Sequence, residues 1–296
     1  MTTNSNGPST SPASAVVGNG GTKLWNRNTL PRTPIERFFS WALRAIVVAV
    51  LAFLIVPILI IILESFNGVN YLAFPLKGFS TQHYESFFAD DSWMSSMALS
   101  FRIALLSAFI ATLLGTMAAW ALARTKARGK ALVYALLYSP VVIPVIVLAM
   151  GYYFFFSKLH LIGNWMAIAA AYAVLGIPFV LVAVSSALEQ FDKESENAAR
   201  TLGAGPIRTL WFVTIPQLTS AIFAGAIFAF VVAFDEAIII LFIAGGGGIT
   251  FPRKLWDSIR FDLNPTLAVA GTLLIAIVVG LYMVAELIKL LRERRE

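Results

Sequence analysis

The 296-residue sequence contains no cysteine, which excludes disulfides, thiolate metal sites and a cysteine nucleophile. His83 and His160 are its only histidines, too few for a histidine metal cluster. No Gly-x-x-x-x-Gly-Lys-Ser/Thr run occurs, so the chain lacks the phosphate cradle of a P-loop. Charge is scarce as well. Asp, Glu, Lys and Arg make up 13% of the residues, against about 25% in soluble domains.

Apolar residues fill the deficit. They reach 58% of the chain, against about 45–50% in soluble proteins, and the mean hydropathy is +0.79. One buried core cannot absorb that excess. It is concentrated in six runs: Trp41–Leu63, Met97–Ala123, Ala131–Phe156, Trp165–Leu188, Leu218–Ala244 and Leu267–Ile288. Each exceeds the roughly 20 residues that cross about 30 Å of hydrocarbon. Each must be helical, because lipid offers no partner to open backbone groups. The expectation is an all-α integral membrane protein with six transmembrane helices, not a soluble enzyme, a disordered chain or a β-barrel. Pro57, Pro140, Pro144 and Pro178 fall inside these runs. They bend the helices, either shaping a pore or adjusting packing.

Residues 1–40 read as a disordered basic tail, with a Ser/Thr/Asn/Gly/Pro-rich tract from Met1 to Thr22. The first apolar run is too long for the h-region of a cleaved signal peptide. Residues 41–296 form the six-span domain. One face carries 16 Lys and Arg, on the tail, the 124–130 loop, the 189–215 loop and the C-terminus. The opposite face carries five: Lys77, Lys158, Arg253, Lys254 and Arg260. That bias predicts both termini in the cytoplasm. The net charge of +6 therefore reports topology and not a nucleic-acid partner.

On the far face, residues 64–96 are mixed polar and aromatic. Residues 245–266 open with four glycines and continue Thr250-Phe251-Pro252-Arg253-Lys254-Leu255-Trp256. Pro252 fits the first turn of a short helix that sets Leu255, Trp256 and Ile259 on one face.

The basic-face loop at 189–216 has more pattern than charge alone. Phe191, Ala198 and Leu202 share a helical face, with Ser195 and Ala199 beside them. Acidic residues crowd the first turn, where the helix dipole favours them. Gly203-Ala204-Gly205-Pro206 ends this helix and opens another. The second aligns Ile207, Trp211 and Ile215, and Pro216 closes the loop. The pattern predicts two short amphipathic helices with a sharp bend, and Gly203 at the bend with φ > 0. Ala198 and Ala199 leave room for close approach by a partner.

This loop resembles the EAA motif of ABC importer permeases: Glu-Ala-Ala, three residues, Gly, nine residues, Ile, one residue, Leu-Pro. Ala198, Ala199, Gly203 and Pro216 match outright, and Val213 and Ile215 are conservative replacements. The family's Glu falls on Asn197, with Glu196 just before it, so an acidic contact is either shifted by one residue or replaced by an amide. The resemblance covers roughly residues 40–296. Phe234-Asp235-Glu236, Phe251 to Asp257, Ile259-Arg260 and Asn264-Pro265-Thr266 further resemble the polyamine and opine branch, especially the second permease of spermidine/putrescine systems.

The resemblance implies the type I ABC importer permease fold and a multi-pass bacterial inner-membrane subunit without catalysis or cofactor. It implies three protein partners: two copies of an ATPase subunit, a second homologous permease, and an extracytoplasmic solute-binding protein. Glu196, Asn197, Ala198, Ala199, Leu202, Gly203, Val213, Ile215 and Pro216 would then form the ATPase-coupling element. Two other classes fit less of the sequence. An ion-coupled transporter calls for inverted repeats with broken helices, which the hydropathy does not show. An intramembrane enzyme needs a nucleophile–base pair or metal ligands, and no span contains a histidine.

Asp235 and Glu236 interrupt an apolar run, at a cost of about 2.5–3.5 kcal/mol each at mid-bilayer. Asp235 lies 19 residues past Pro216, about 28 Å along a helix. Arg102 lies 22 residues before Arg124, about 33 Å by the same rise. Tyr152 and Tyr153 fall at a similar height. Two readings stand. Asp235, Glu236, Tyr152, Tyr153 and Arg102 line an aromatic vestibule for a cationic solute, or they form an aromatic belt with Arg102 paired to one carboxylate. With the resemblance, the expected cargo is putrescine or spermidine, with opines and amino-acid derivatives as the alternative.

Overall fold

The computed structural model describes residues 34–126, 128–246, 248–261 and 264–293. It divides into two compact units, residues 1–55 and 56–296. Most of the expected tail, residues 1–33, lies outside the described residues. Helix α1, Pro34–Glu64, begins seven residues before the first apolar run and carries Pro57 within it.

The second unit is all helical among the described residues, apart from an isolated bridge between Asn67 and Phe79. Helix α2, Gln82–Ala89, leads directly into α3, Asp91–Arg124. The Asp90 carboxylate caps α3 by accepting from the Ser92 and Trp93 amides at 2.7 and 3.3 Å. Asp91 in the first turn and Arg124 in the last complement the helix dipole. Helix α4, Lys130–Val142, and α5, Val145–Lys158, follow, then α6, Trp165–Gln190. Asn164 caps α6 by the same side-chain bond to the Met166 amide, at 2.9 Å.

The third apolar run does not make the expected continuous span. It breaks between Val142 and Val145, and α5 turns 103° away from α4. Pro144 has no amide hydrogen to continue the α4 ladder, and its ring disfavours helical backbone at Ile143. Ile143 is accordingly extended, with ψ 131°. Pro140 and Pro178 stay within helices. Five described helices are long and apolar enough to cross a membrane, or six if the bent pair counts as one.

Helix α7, Lys193–Thr201, is followed by α8, Pro206–Thr209, a π turn over Leu210–Thr214, and α9, Ile215–Asp235. Short helices α10, Ile238–Ile243, and α11, Phe251–Phe261, precede α12, Thr266–Glu293. The fifth apolar run is thus also divided, after Asp235. Pro216 does not close the loop. It sits in the first turn of α9, where its missing amide hydrogen costs nothing, and the helical rod continues from Pro206 to Asp235.

The core lies where α3, α6 and α9 meet. Gly176 on α6 explains the close approach: a Cβ there would stand 2.9 Å from the Ala229 Cβ on α9 and 3.0 Å from the Ala111 Cβ on α3. Small residues at such crossings let membrane helices pack backbone to backbone. The Ser107 hydroxyl donates to the Ala169 carbonyl at 2.9 Å, a direct bond between α3 and α6.

Candidate functional site

Two regions at opposite ends of α9 carry the chemistry. The first is the 191–216 loop. Asp192 caps α7 by accepting from the Glu194 amide at 2.9 Å. The C-terminus closes with two bonds, Gly203 amide to Arg200 carbonyl and Ala204 amide to Ala199 carbonyl, both 3.0 Å. This paired closure requires a left-handed residue just past the helix, and Gly203 supplies it at φ +85°. The sequence expectation of positive φ there matches the observed backbone. Around the bend, Asn197, Ala198 and Leu202 are exposed, and Ala199, Val213 and Ile215 are half-buried. Leu202 is 88% exposed. Of the expected apolar stripe, Ile207 and Trp211 are exposed and Ile215 is half-buried.

Glu196 differs from its neighbours. Its side chain is buried, and its carboxylate turns inward to form an ion pair with Arg124 at the end of α3. The Thr214 hydroxyl donates to the same oxygen at 2.6 Å. The Arg124 guanidinium also lies over the Trp120 ring, 4.8 Å from its centroid. Glu196 therefore fastens α7 to α3 and to the π turn that feeds α9, while Asn197 occupies the outward position next to it. Sequence reading missed Arg124 and Thr214 as members of this site.

At the other end, Asp235 is the last residue of α9 and is exposed. It forms no hydrogen bond or ion pair among the described residues. Glu236 is half-buried, and its carboxylate accepts from the Ile238 and Ile239 amides at 2.6 and 2.9 Å. It caps α10 and so does not point outward beside Asp235. The Tyr172 hydroxyl donates to the Glu236 carbonyl at 3.0 Å, which ties the break to α6. The pair between Arg102 and a carboxylate, which the second of the two sequence readings calls for, is not formed among the described residues. Arg102 is exposed on α3 and makes no ion pair among the described residues. Its neighbour Phe101 contacts Phe234, with ring centroids 5.0 Å apart, so Arg102 and Asp235 do share one level. Tyr152 is half-buried and stacked on Phe156 at 6.0 Å, while Tyr153 is exposed and meets Phe154 edge-on.

At this level an aromatic cluster of Phe87, Trp93, Phe234 and Phe251 joins α2, α3, α9 and α11. The Lys254 ammonium sits 4.3 Å above the Trp93 ring and bonds Ser92. Burial lowers its pKa from the ordinary value, and Asp90 opposes that shift. Pro252 starts α11 as expected, and the Phe251 amide donates to Ser100 at 2.8 Å. Leu255 and Ile259 line an apolar cavity of about 570 Å³ together with Ile60, Leu72 and Leu267. Among the described residues, no three His, Asp or Glu side chains gather where a metal ion could be held.

Apolar helices long enough to cross a membrane, a bent helix pair and an exposed loop closed on a Gly turn define a multi-span membrane protein. Residues 111–295 match the binding-protein-dependent transport system inner membrane component family, and the chain belongs to it. It is a permease component of the ABC importer class, whose members are non-catalytic on their own. It is 32% identical over 233 residues to the putrescine transport system permease protein PotI of Escherichia coli (strain K12), covering 76% of this chain and 83% of that one. It is 28% identical over 254 residues to the spermidine/putrescine transport system permease protein PotC of Haemophilus influenzae, covering 86% and 98%. A solved bacterial ABC transporter involved in alginate import shares the fold with a TM-score of 0.61 at 14% identity, covering 88% of this chain and 99% of that chain.

Proposed function

We propose that this chain is a permease of a bacterial inner-membrane importer that moves putrescine or spermidine inward, with its basic face and both termini in the cytoplasm. A separate ATPase, present in two copies, docks on the 191–216 loop. A second permease completes the passage, and an extracytoplasmic binding protein delivers the solute. The positive bias of one face supports the orientation. The relatives that carry polyamine names support the solute class.

The observation that carries the reading is the position of the loop and of Asp235 on one rod. The helical run from Pro206 to Asp235 has 30 residues, roughly 45 Å at 1.5 Å per residue. ATPase closure would press on Ala198, Ala199 and Leu202. Glu196 would pass the displacement to α3 through Arg124 and to α9 through Thr214. Asp235 at the far end, exposed and unpaired, is a carboxylate free to meet an ammonium group. Tyr153 offers an exposed ring face at the end of α5. Glu236, committed to capping α10, sets the end of the rod.

A second reading has one observation in its favour. Arg102 is also exposed and unpaired at that level, so an opine or related amino-acid derivative, carrying both charges, would find both partners. The test is uptake of labelled putrescine by the complete transporter with Asp235→Asn or Glu236→Gln. Asp235→Asn should lose most of its uptake while the complex still assembles and hydrolyses ATP. Full uptake by Asp235→Asn would remove that carboxylate from the path.

A further inference from the structure

We propose that the recess at the basic end of the helices holds the phosphate headgroup of an anionic phospholipid. The recess has a volume of about 570 Å³ and lies between the ends of α3 and α6, the start of α4, and α7. Arg124, Lys126, Lys130 and Arg200 line it, and Glu189 and Glu196 are the acids in its wall. Glu196 is already paired with Arg124. That leaves three cations facing one carboxylate, and none of Lys126, Lys130 and Arg200 forms an ion pair among the described residues. The local excess of positive charge calls for an anion.

The surroundings select a lipid over a soluble anion. The recess sits where α3 and α6 pass out of their apolar runs, beside Tyr134, an aromatic residue of the kind enriched at headgroup level. From Lys130, α4 runs on as an exposed apolar surface through Leu132, Val133 and Leu136. A phosphate in the recess would have its acyl chains along that surface, whereas a free anion would make no use of it. Basic pockets between helices on the cytoplasmic side suit anionic headgroups, and that leaflet is the anionic one. The inference rests on the orientation proposed above and is independent of the solute. Because Arg200 lies on α7 one turn from Glu196 and lines the same recess, a bound headgroup would hold the docking helix beside the Glu196 anchor.

The experiment uses the complete importer, purified in neutral detergent, and measures binding of fluorescent phosphatidylglycerol against phosphatidylcholine. Phosphatidylglycerol should bind preferentially. Lys126→Gln, Lys130→Gln and Arg200→Gln should each weaken it roughly five-fold, and the triple variant about a hundred-fold. Lys126→Arg with Lys130→Arg and Arg200→Lys keeps the charge and should keep the binding. Equal binding by the wild type and the triple Gln variant would overturn the proposal, as would loss of binding in the charge-keeping variant. Glycerol phosphate that displaced the lipid as effectively as short-chain phosphatidylglycerol would assign the recess to a soluble anion instead. If the triple Gln variant shed the ATPase subunit but bound phosphatidylglycerol normally, the recess would be a protein contact and the lipid assignment would fall.

Discussion

The hydrogen bond from Thr214 to Glu196, 2.6 Å long, joins α7 to the turn that begins the rod leading to Asp235. The same carboxylate oxygen meets Arg124, 72 residues away in sequence. One buried acid thus ties together α3, α7 and the turn that feeds α9.

Replacing Glu196 with Ala removes that junction and strands Arg124 and Thr214. Loss of a buried hydrogen bond to a charged group costs about 1.5–3 kcal/mol, moderated here because Arg124 is partly exposed. The variant should insert in the membrane, show faster tryptic cleavage at Arg200, and hydrolyse ATP with reduced uptake. Cleavage and uptake identical to wild type would show that the loop does not depend on this anchor.

Gly203 occupies φ +85°, where a β-branched residue is strained by about 1–3 kcal/mol. Gly203→Val should leave the protein in the membrane but separate ATP hydrolysis from uptake, or prevent the ATPase from co-purifying. Asn tolerates left-handed backbone, so Gly203→Asn should retain most of the transport. Full transport by the Val variant in vesicles would contradict a docking role for the turn.

Ala198 is exposed beside the turn. In the assembled importer it should be covered by the ATPase. A cysteine introduced there, in a chain with none of its own, should cross-link to that subunit and be protected from maleimide when the ATPase is present. Labelling that does not change on adding the ATPase would move the contact elsewhere.

The long spans were legible because length and hydropathy alone determine them: the described α3, α6 and α12 each contain the apolar run read from sequence. The Gly203 turn was legible because few residues other than glycine accept that backbone. The breaks were not. Pro144 lies between Ile143 and Val145, and an apolar run containing proline reads the same whether the helix bends slightly or turns by 103°. Glu236 looked like a second intramembrane charge, but its backbone-capping role depends on the chain leaving α9 one residue earlier. The inward turn of Glu196 has no local signal, because its partner Arg124 is brought beside it only by the packing of α3 against α6 and α9. Pairings of that separation leave no local pattern.

The most direct measurement is ATP-driven uptake into proteoliposomes that hold this chain, its partner permease and the ATPase, supplied with the cognate binding protein. Labelled putrescine, spermidine and an opine are compared at equal concentration. The account predicts that putrescine or spermidine accumulates only with ATP inside the vesicles and that the opine does not compete. ATP-dependent accumulation of the opine, with neither polyamine taken up, would contradict it.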